Sequence, residues 1–140
     1  PQRVGVRGWS YGGFMTLNAM LNAPDTFKAG AAGAPVTDWR NYDTIYTERY
    51  MGLPEANADG YKNTGLPQRA ANLKGSLMIL HNFEDDNVLF QNSLQMMDAL
   101  ERVGKLFQLV LYTQKTHGVT GPEAQHVNAS MLDFFERALK

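Results

Sequence analysis

The chain has 140 residues, 13 Lys and Arg against 14 Asp and Glu, and no cysteine. That is one domain's length. A formal charge of −1 supplies no field to gather nucleic acid or an anionic membrane. No apolar run approaches the ~18–20 residues of a membrane span, and the missing thiols exclude disulfides, a thiolate zinc site and a Cys nucleophile. Pro1-Gln2-Arg3-Val4 runs straight into a strand-like stretch without an initiator Met, a signal peptide or a leading cap, so the chain is expected to be part of something longer. In chain order, residues 4–8 alternate β-branched and small side chains and predict a short strand. Phe14, Leu17, Met20 and Leu21 recur at helical spacing, and Pro24 closes that helix. Residues 27–34 are small and apolar and stop at Pro35, as a buried strand with close neighbours would. Residues 38–50 read as a short helix plus loop, and 52–68, with Gly52, Pro54, Gly60, Gly65 and Pro67, as loop around at most a short helix. Residues 76–81 predict a second buried strand. In 90–103, Leu94, Met97, Leu100 and Val103 share one helix face, stopped by Gly104. Residues 107–112 predict the last strand and 122–140 the last helix.

This alternation predicts an α/β fold of about four parallel strands with helices on both faces. No internal repeat or low-complexity segment interrupts it. At least one sheet edge is expected to lack a partner within these residues, which again points to further strands upstream.

Gly8-Trp9-Ser10-Tyr11-Gly12 matches Gly-x-Ser-x-Gly between a predicted strand and a predicted helix. In that setting a sharp turn lifts a serine nucleophile clear of the sheet, at the positive end of the following helix. The Tyr11 N–H is then placed to bind an oxyanion. The competing reading is a glycine-rich turn whose serine only caps the helix. A serine nucleophile needs a base, and the base an orienting carboxylate; in this fold class the chain order is Ser, acid, His. Residues 77–81 lead into Asn82-Phe83-Glu84-Asp85-Asp86-Asn87, and 107–112 into a loop holding His117-Gly118. Of the three histidines, His117 has the base's position. His81 ends a strand and reads as a satisfied core histidine; His126 lies in the last helix and reads as a surface or packing residue. Position alone does not separate Glu84, Asp85 and Asp86.

Taken together, Gly8-Trp9-Ser10-Tyr11-Gly12-Gly13-Phe14, Tyr46-Thr47-Glu48-Arg49-Tyr50-Met51-Gly52, Asp85-Asp86-Asn87-Val88, Phe90-Gln91-Asn92-Ser93 and His117-Gly118 resemble the prolyl oligopeptidase family of serine peptidases, in its dipeptidyl peptidase IV branch. The resemblance runs in order along essentially the whole chain. It implies the carboxyl-terminal portion of an α/β-hydrolase domain over residues 1–140. Upstream sheet strands and an amino-terminal β-propeller would lie outside it. It implies Ser10 as nucleophile, Asp85 as acid and His117 as base, and a proline-sized pocket at Tyr11, Val36, Trp39, Tyr42, Tyr46 and Val88. Asn87 matches a residue near the substrate's amino-terminal end.

The implied activity is release of dipeptides after a penultimate Pro or Ala, from peptides with a free amino terminus, through an acyl-enzyme and without metal or organic cofactor. An acylaminoacyl peptidase or esterase of the same fold, or a non-enzymatic binding homologue, are the alternatives. The resemblance places a second oxyanion donor and the amine-binding acids upstream, so these 140 residues alone are expected to be nearly inactive. It also implies homodimerisation partly through the last helix, with Phe134, Phe135 and Leu139 as an apolar face; the residues by themselves favour packing of that face on the sheet instead. Relatives are often periplasmic, secreted or membrane-anchored.

Three positions depart from the family's usual pattern. His81-Asn82 stands where His-Gly is usual, Leu89 where the branch often has His, and Thr116 where an acidic residue commonly precedes the base.

Aromatic walls suit proline's flat apolar ring, and Trp39, Tyr42 and Tyr46 sit at i, i+3 and i+7. That spacing suits either an amphipathic helix with a core-facing aromatic stripe or a cleft. Phenolic hydroxyls need partners in a dry core, which favours the cleft.

Overall fold

A computed structural model describes residues 3–114 and 116–140. Four strands, β1 (Gly5–Trp9), β2 (Ala29–Gly33), β3 (Ser76–Asn82) and β4 (Gln108–Tyr112), form one parallel sheet in the order 1-2-3-4. The helices are α1 (Tyr11–Asn22), α2 (Thr44–Met51), α3 (Ala58–Thr64), α4 (Gln91–Arg102) and α5 (Pro122–Ala138), with 3-10 turns at Trp39–Asn41 and Pro67–Asn72. Residues 52–68, read from sequence mainly as loop, carry α3 and the start of the second 3-10 turn. Asn57 starts α3 by accepting the Gly60 N–H, a local cap among the turn-forming residues that had masked it.

Because the strand order never reverses, right-handed crossovers carry every β–β connection over the same face. Period-two alternation divides the strands accordingly. Ala32, Leu77 and Ile79 join the larger core with Leu17, Met20 and Leu21 of α1 and Met96 and Leu100 of α4. Ala29, Ala31, Met78 and Leu80 face the other way, onto Val127 and Phe134 of α5. Each fully buried Leu or Met here contributes roughly 1.5–3 kcal/mol. Phe135 and Leu139 pack against this second cluster, so the apolar face of α5 is engaged with its own sheet.

The glycine at position 30 of β2 follows from α1. A Cβ on Gly30 would lie 2.6 Å from Met20, so only a bare backbone lets the helix approach this closely. Among the described residues β1 and β4 are the two sheet edges, and Leu109 and Leu111 on β4 stay more than a third exposed. No helix of the described residues is long and apolar enough to cross a membrane.

Candidate active site

In a parallel sheet all strands end at one edge, and the loops there converge. Ser10 follows β1 directly, Asp85 lies just beyond β3, and His117 lies beyond β4. Ser10 has φ 61° and ψ −120°, a left-handed conformation that costs a non-glycine residue about 1–3 kcal/mol. One tertiary bond and the first turn of α1 hold it there: its N–H donates to the Gly33 carbonyl at 2.9 Å, and its carbonyl accepts the Phe14 N–H at 3.0 Å. The Ser10 side chain makes no capping bond to α1, so the helix-cap reading does not describe this serine.

Sterics explain two glycines. A Cβ on Gly8 would sit 2.3 Å from the Gly12 carbonyl oxygen, and one on Gly13 would sit 2.3 Å from that of Gly33. On Gly12 a Cβ would meet open space. The third glycine of the run therefore carries the packing requirement that the five-residue motif assigns to Gly12. Tyr11 opens α1, so its N–H has no acceptor within the helix.

Asp85 is 3% exposed and saturated with donors. One carboxylate oxygen, Oδ1, accepts the Asn87 and Val88 N–H groups, each at 3.0 Å. The other, Oδ2, faces His117 Nδ1 at 2.8 Å and His81 Nε2 at 3.4 Å. Burial pushes this carboxyl up, but hydrogen bonds from His117, His81 and the Asn87 N–H outweigh it and hold it well below the usual range. Since a carboxylate only accepts, the 2.8 Å contact makes His117 Nδ1 a donor. His117 Nε2 is buried without a hydrogen-bond partner among the described residues.

His81 is fully buried, with Nε2 2.8 Å from the Val88 carbonyl and Nδ1 2.7 Å from Ser93 Oγ. It is a satisfied core histidine that also braces the acid loop. His126 meets the Tyr112 hydroxyl at 2.9 Å through Nδ1. Three further contacts seat the His117 loop, none of them visible in the sequence. Trp9 Nε1 donates to the His117 carbonyl at 2.9 Å. Asn82 Nδ2 donates to the carbonyls of Thr116 and, at 3.2 Å, Gly118.

A cavity of about 200 Å³ opens beside Ser10, walled by Tyr11, Val36, Trp39, Tyr42 and Tyr46. Trp39 and Tyr46 stack at 5.9 Å between ring centroids, and Tyr42 meets both edge-on. The i, i+3, i+7 spacing is not that of one helix. Trp39 lies in a 3-10 turn and Tyr46 in α2, with Asp43 capping α2 between them through the Tyr46 N–H. The Tyr42 hydroxyl donates to Asn87 Oδ1 at 2.7 Å, and burial and the nearby Asp43 push its ionisation up, which keeps it a donor.

Val88 is not part of the wall. Its side chain is fully buried in the larger core, and its backbone serves Asp85 and His81 instead. A larger cavity, about 420 Å³, lies between β1 and α5 near Arg7, Trp9, Val127 and Met131; it contains none of the candidate residues. Among the described residues no group of three or more His, Cys, Asp or Glu side chains is arranged to hold a metal ion.

A serine on a strained strand-to-helix turn, with a carboxylate–imidazole pair at the same sheet edge, belongs to the α/β-hydrolase class of architecture. The model of the prolyl oligopeptidase family matches residues 1–140, and the chain belongs to that family of serine peptidases. It is 43% identical over 140 residues to dipeptidyl peptidase 4 of Felis catus, covering 97% of this chain and 18% of that protein. To dipeptidyl peptidase 8 of Mus musculus it is 40% identical over 141 residues, covering 98% and 16%. Among solved structures, Porphyromonas gingivalis dipeptidyl peptidase 4 superposes with a TM-score of 0.95 at 40% identity, over 99% of this chain and 20% of the other. A putative dipeptidyl aminopeptidase IV of Bacteroides ovatus gives 0.97 at 41%, also over 99% and 20%. The chain thus spans about a fifth of the length of these relatives.

Proposed function

We propose that the protein is a serine dipeptidyl peptidase in which Ser10 is the nucleophile, His117 the general base and Asp85 its orienting acid. The observation that carries this is the His117 imidazole, with Nδ1 bonded to a buried carboxylate and Nε2 left without a partner. That tautomer has its lone pair on Nε2, ready to accept the Ser10 Oγ proton. Serine oxygen then bonds to the scissile carbonyl carbon, and the Tyr11 N–H stabilises the oxyanion. Collapse breaks the C–N bond, with the proton passing from His117 to the leaving amine. Water, activated by the same base, hydrolyses the acyl-enzyme.

The cavity next to Ser10 is about 200 Å³, and a second of about 410 Å³ shares its Tyr11, Trp39 and Tyr46 walls. The aromatic walls beside Ser10 suit one small apolar ring or methyl, which supports Pro or Ala as the residue before the cleaved bond. Relatives named as dipeptidyl peptidases support a substrate with a free amino terminus, which Asn87 would approach.

The test is turnover of a proline-dipeptide chromogenic amide by the full-length protein, beside the same compound with its amine blocked. Fast cleavage of the free form only, lost in Ser10→Ala, is expected. Equal cleavage of the blocked form would favour an acylaminoacyl peptidase or esterase. Failure of a fluorophosphonate to label Ser10 would favour a binding homologue.

A further inference from the structure

Asn82 is fully buried at the end of β3, and its side-chain hydrogen bonds go to none of Ser10, Asp85 and His117. Its Nδ2 donates to the backbone carbonyls of Thr116 and Gly118, which flank His117 on both sides. The carbonyl between them, that of His117, is taken by Trp9 Nε1. Thr116 Oγ1 closes the loop by donating to the Gly118 carbonyl at 2.7 Å. Three consecutive carbonyls of the base loop are therefore all held, two of them by one side chain.

The orientation of the amide is dictated by chemistry. Both neighbours are carbonyls, which only accept, so the NH2 end must face them. The other end pays nothing back: Asn82 Oδ1 is buried without a hydrogen-bond partner among the described residues. An unsatisfied buried acceptor costs about 1–3 kcal/mol, and such costs are tolerated chiefly where function needs the geometry.

We infer that Asn82 is a positioning residue for His117. Its amide clamps residues 116 and 118, and with the Thr116 hydroxyl and Trp9 it fixes the backbone from which the imidazole reaches Asp85. This rests on His117 being the base. Asn82→Asp has nearly the same shape but presents an acceptor to two carbonyls, so it breaks both bonds and repels the loop. Asn82→Ala only removes the donors.

In the full-length protein kcat should fall on the order of a hundredfold in Asn82→Asp, as expected for a displacement of about 1 Å, and about tenfold in Asn82→Ala. KM for a proline-dipeptide amide should stay within about twofold, because Asn82 does not line the cavity. Amide exchange in the peptide covering the base loop should accelerate in both variants, while peptides from α1 and α4 keep parental rates. Thr116→Val should lose activity too, and its effect should be less than additive with Asn82→Ala.

Unchanged exchange in that loop overturns the clamp whatever the enzyme's substrate. A kcat within twofold of the parent in both Asn82 variants also overturns it. Accelerated exchange without any parental peptidase turnover instead leaves the clamp standing and sinks the functional reading. If Asn82→Asp does not fold, Asn82→Ala and Thr116→Val carry the same readouts.

Discussion

Asp85→Asn probes the acid–base pair where its geometry is most constrained. The two backbone N–H groups at 3.0 Å can be satisfied only by an oxygen, so the asparagine amide must place its carbonyl there. Its NH2 then occupies the Oδ2 position, 2.8 Å from His117 Nδ1 and 3.4 Å from His81 Nε2. A donor now faces His117, which relieves the clash by moving its own proton from Nδ1 to Nε2. That leaves the lone pair on the wrong nitrogen, and the imidazole cannot take the Ser10 proton.

A wrong-tautomer substitution of this kind costs about 10⁴ in kcat in serine proteases, or roughly 5.5 kcal/mol at 1.36 kcal/mol per decade. KM should change little, because Asp85 does not line the cavity. Steady-state kinetics of the full-length variant on a proline-dipeptide amide measure both, and the fluorophosphonate labelling rate of Ser10 should fall in parallel. A kcat within tenfold of the parent, in a folded variant, would refute the assignment of Asp85 and the tautomer argument with it.

Ser10→Gly should melt higher than Ser10→Ala by the equivalent of about 1 kcal/mol, because glycine alone adopts φ 61° without strain; equal melting would remove the strained elbow from the account. The Asp85 carboxyl is held below its unfolded value of about 3.9. Between those values the unfolded chain binds more protons, so its contribution is fully present above about pH 4 and lost as pH falls further. The denaturant midpoints of the parent and Asp85→Asn should therefore converge between pH 6 and pH 2, and a constant gap would contradict the linkage. Tyr42→Phe removes the donor to Asn87 Oδ1 and should raise KM about fivefold with kcat nearly kept, as one hydrogen bond of about 1 kcal/mol implies; a kcat effect instead would place Tyr42 closer to the chemistry than its wall position.

By itself the sequence determined the order of elements and the candidate residues. Each strand is a short apolar run bounded by turn formers, and the Gly8–Gly12 motif, the 82–87 loop and His117-Gly118 all fall just after such runs. These signals are local, and parallel strands bring the loops that follow them to one edge. What needed the tertiary structure was everything set by contacts between residues far apart in the chain. Glu84, Asp85 and Asp86 look alike as a string; only Asp85 is buried with donors on both oxygens. Trp39, Tyr42 and Tyr46 have helical spacing, yet a 3-10 turn and a separate capped helix bring them around a cavity. Gly13 rather than Gly12 carries the close approach, because its neighbour there is the end of β2. Asn82 and Trp9 hold carbonyls of the His117 loop across gaps of 34 to 108 residues, and no periodicity or motif encodes a side chain's hydrogen bond to a distant backbone.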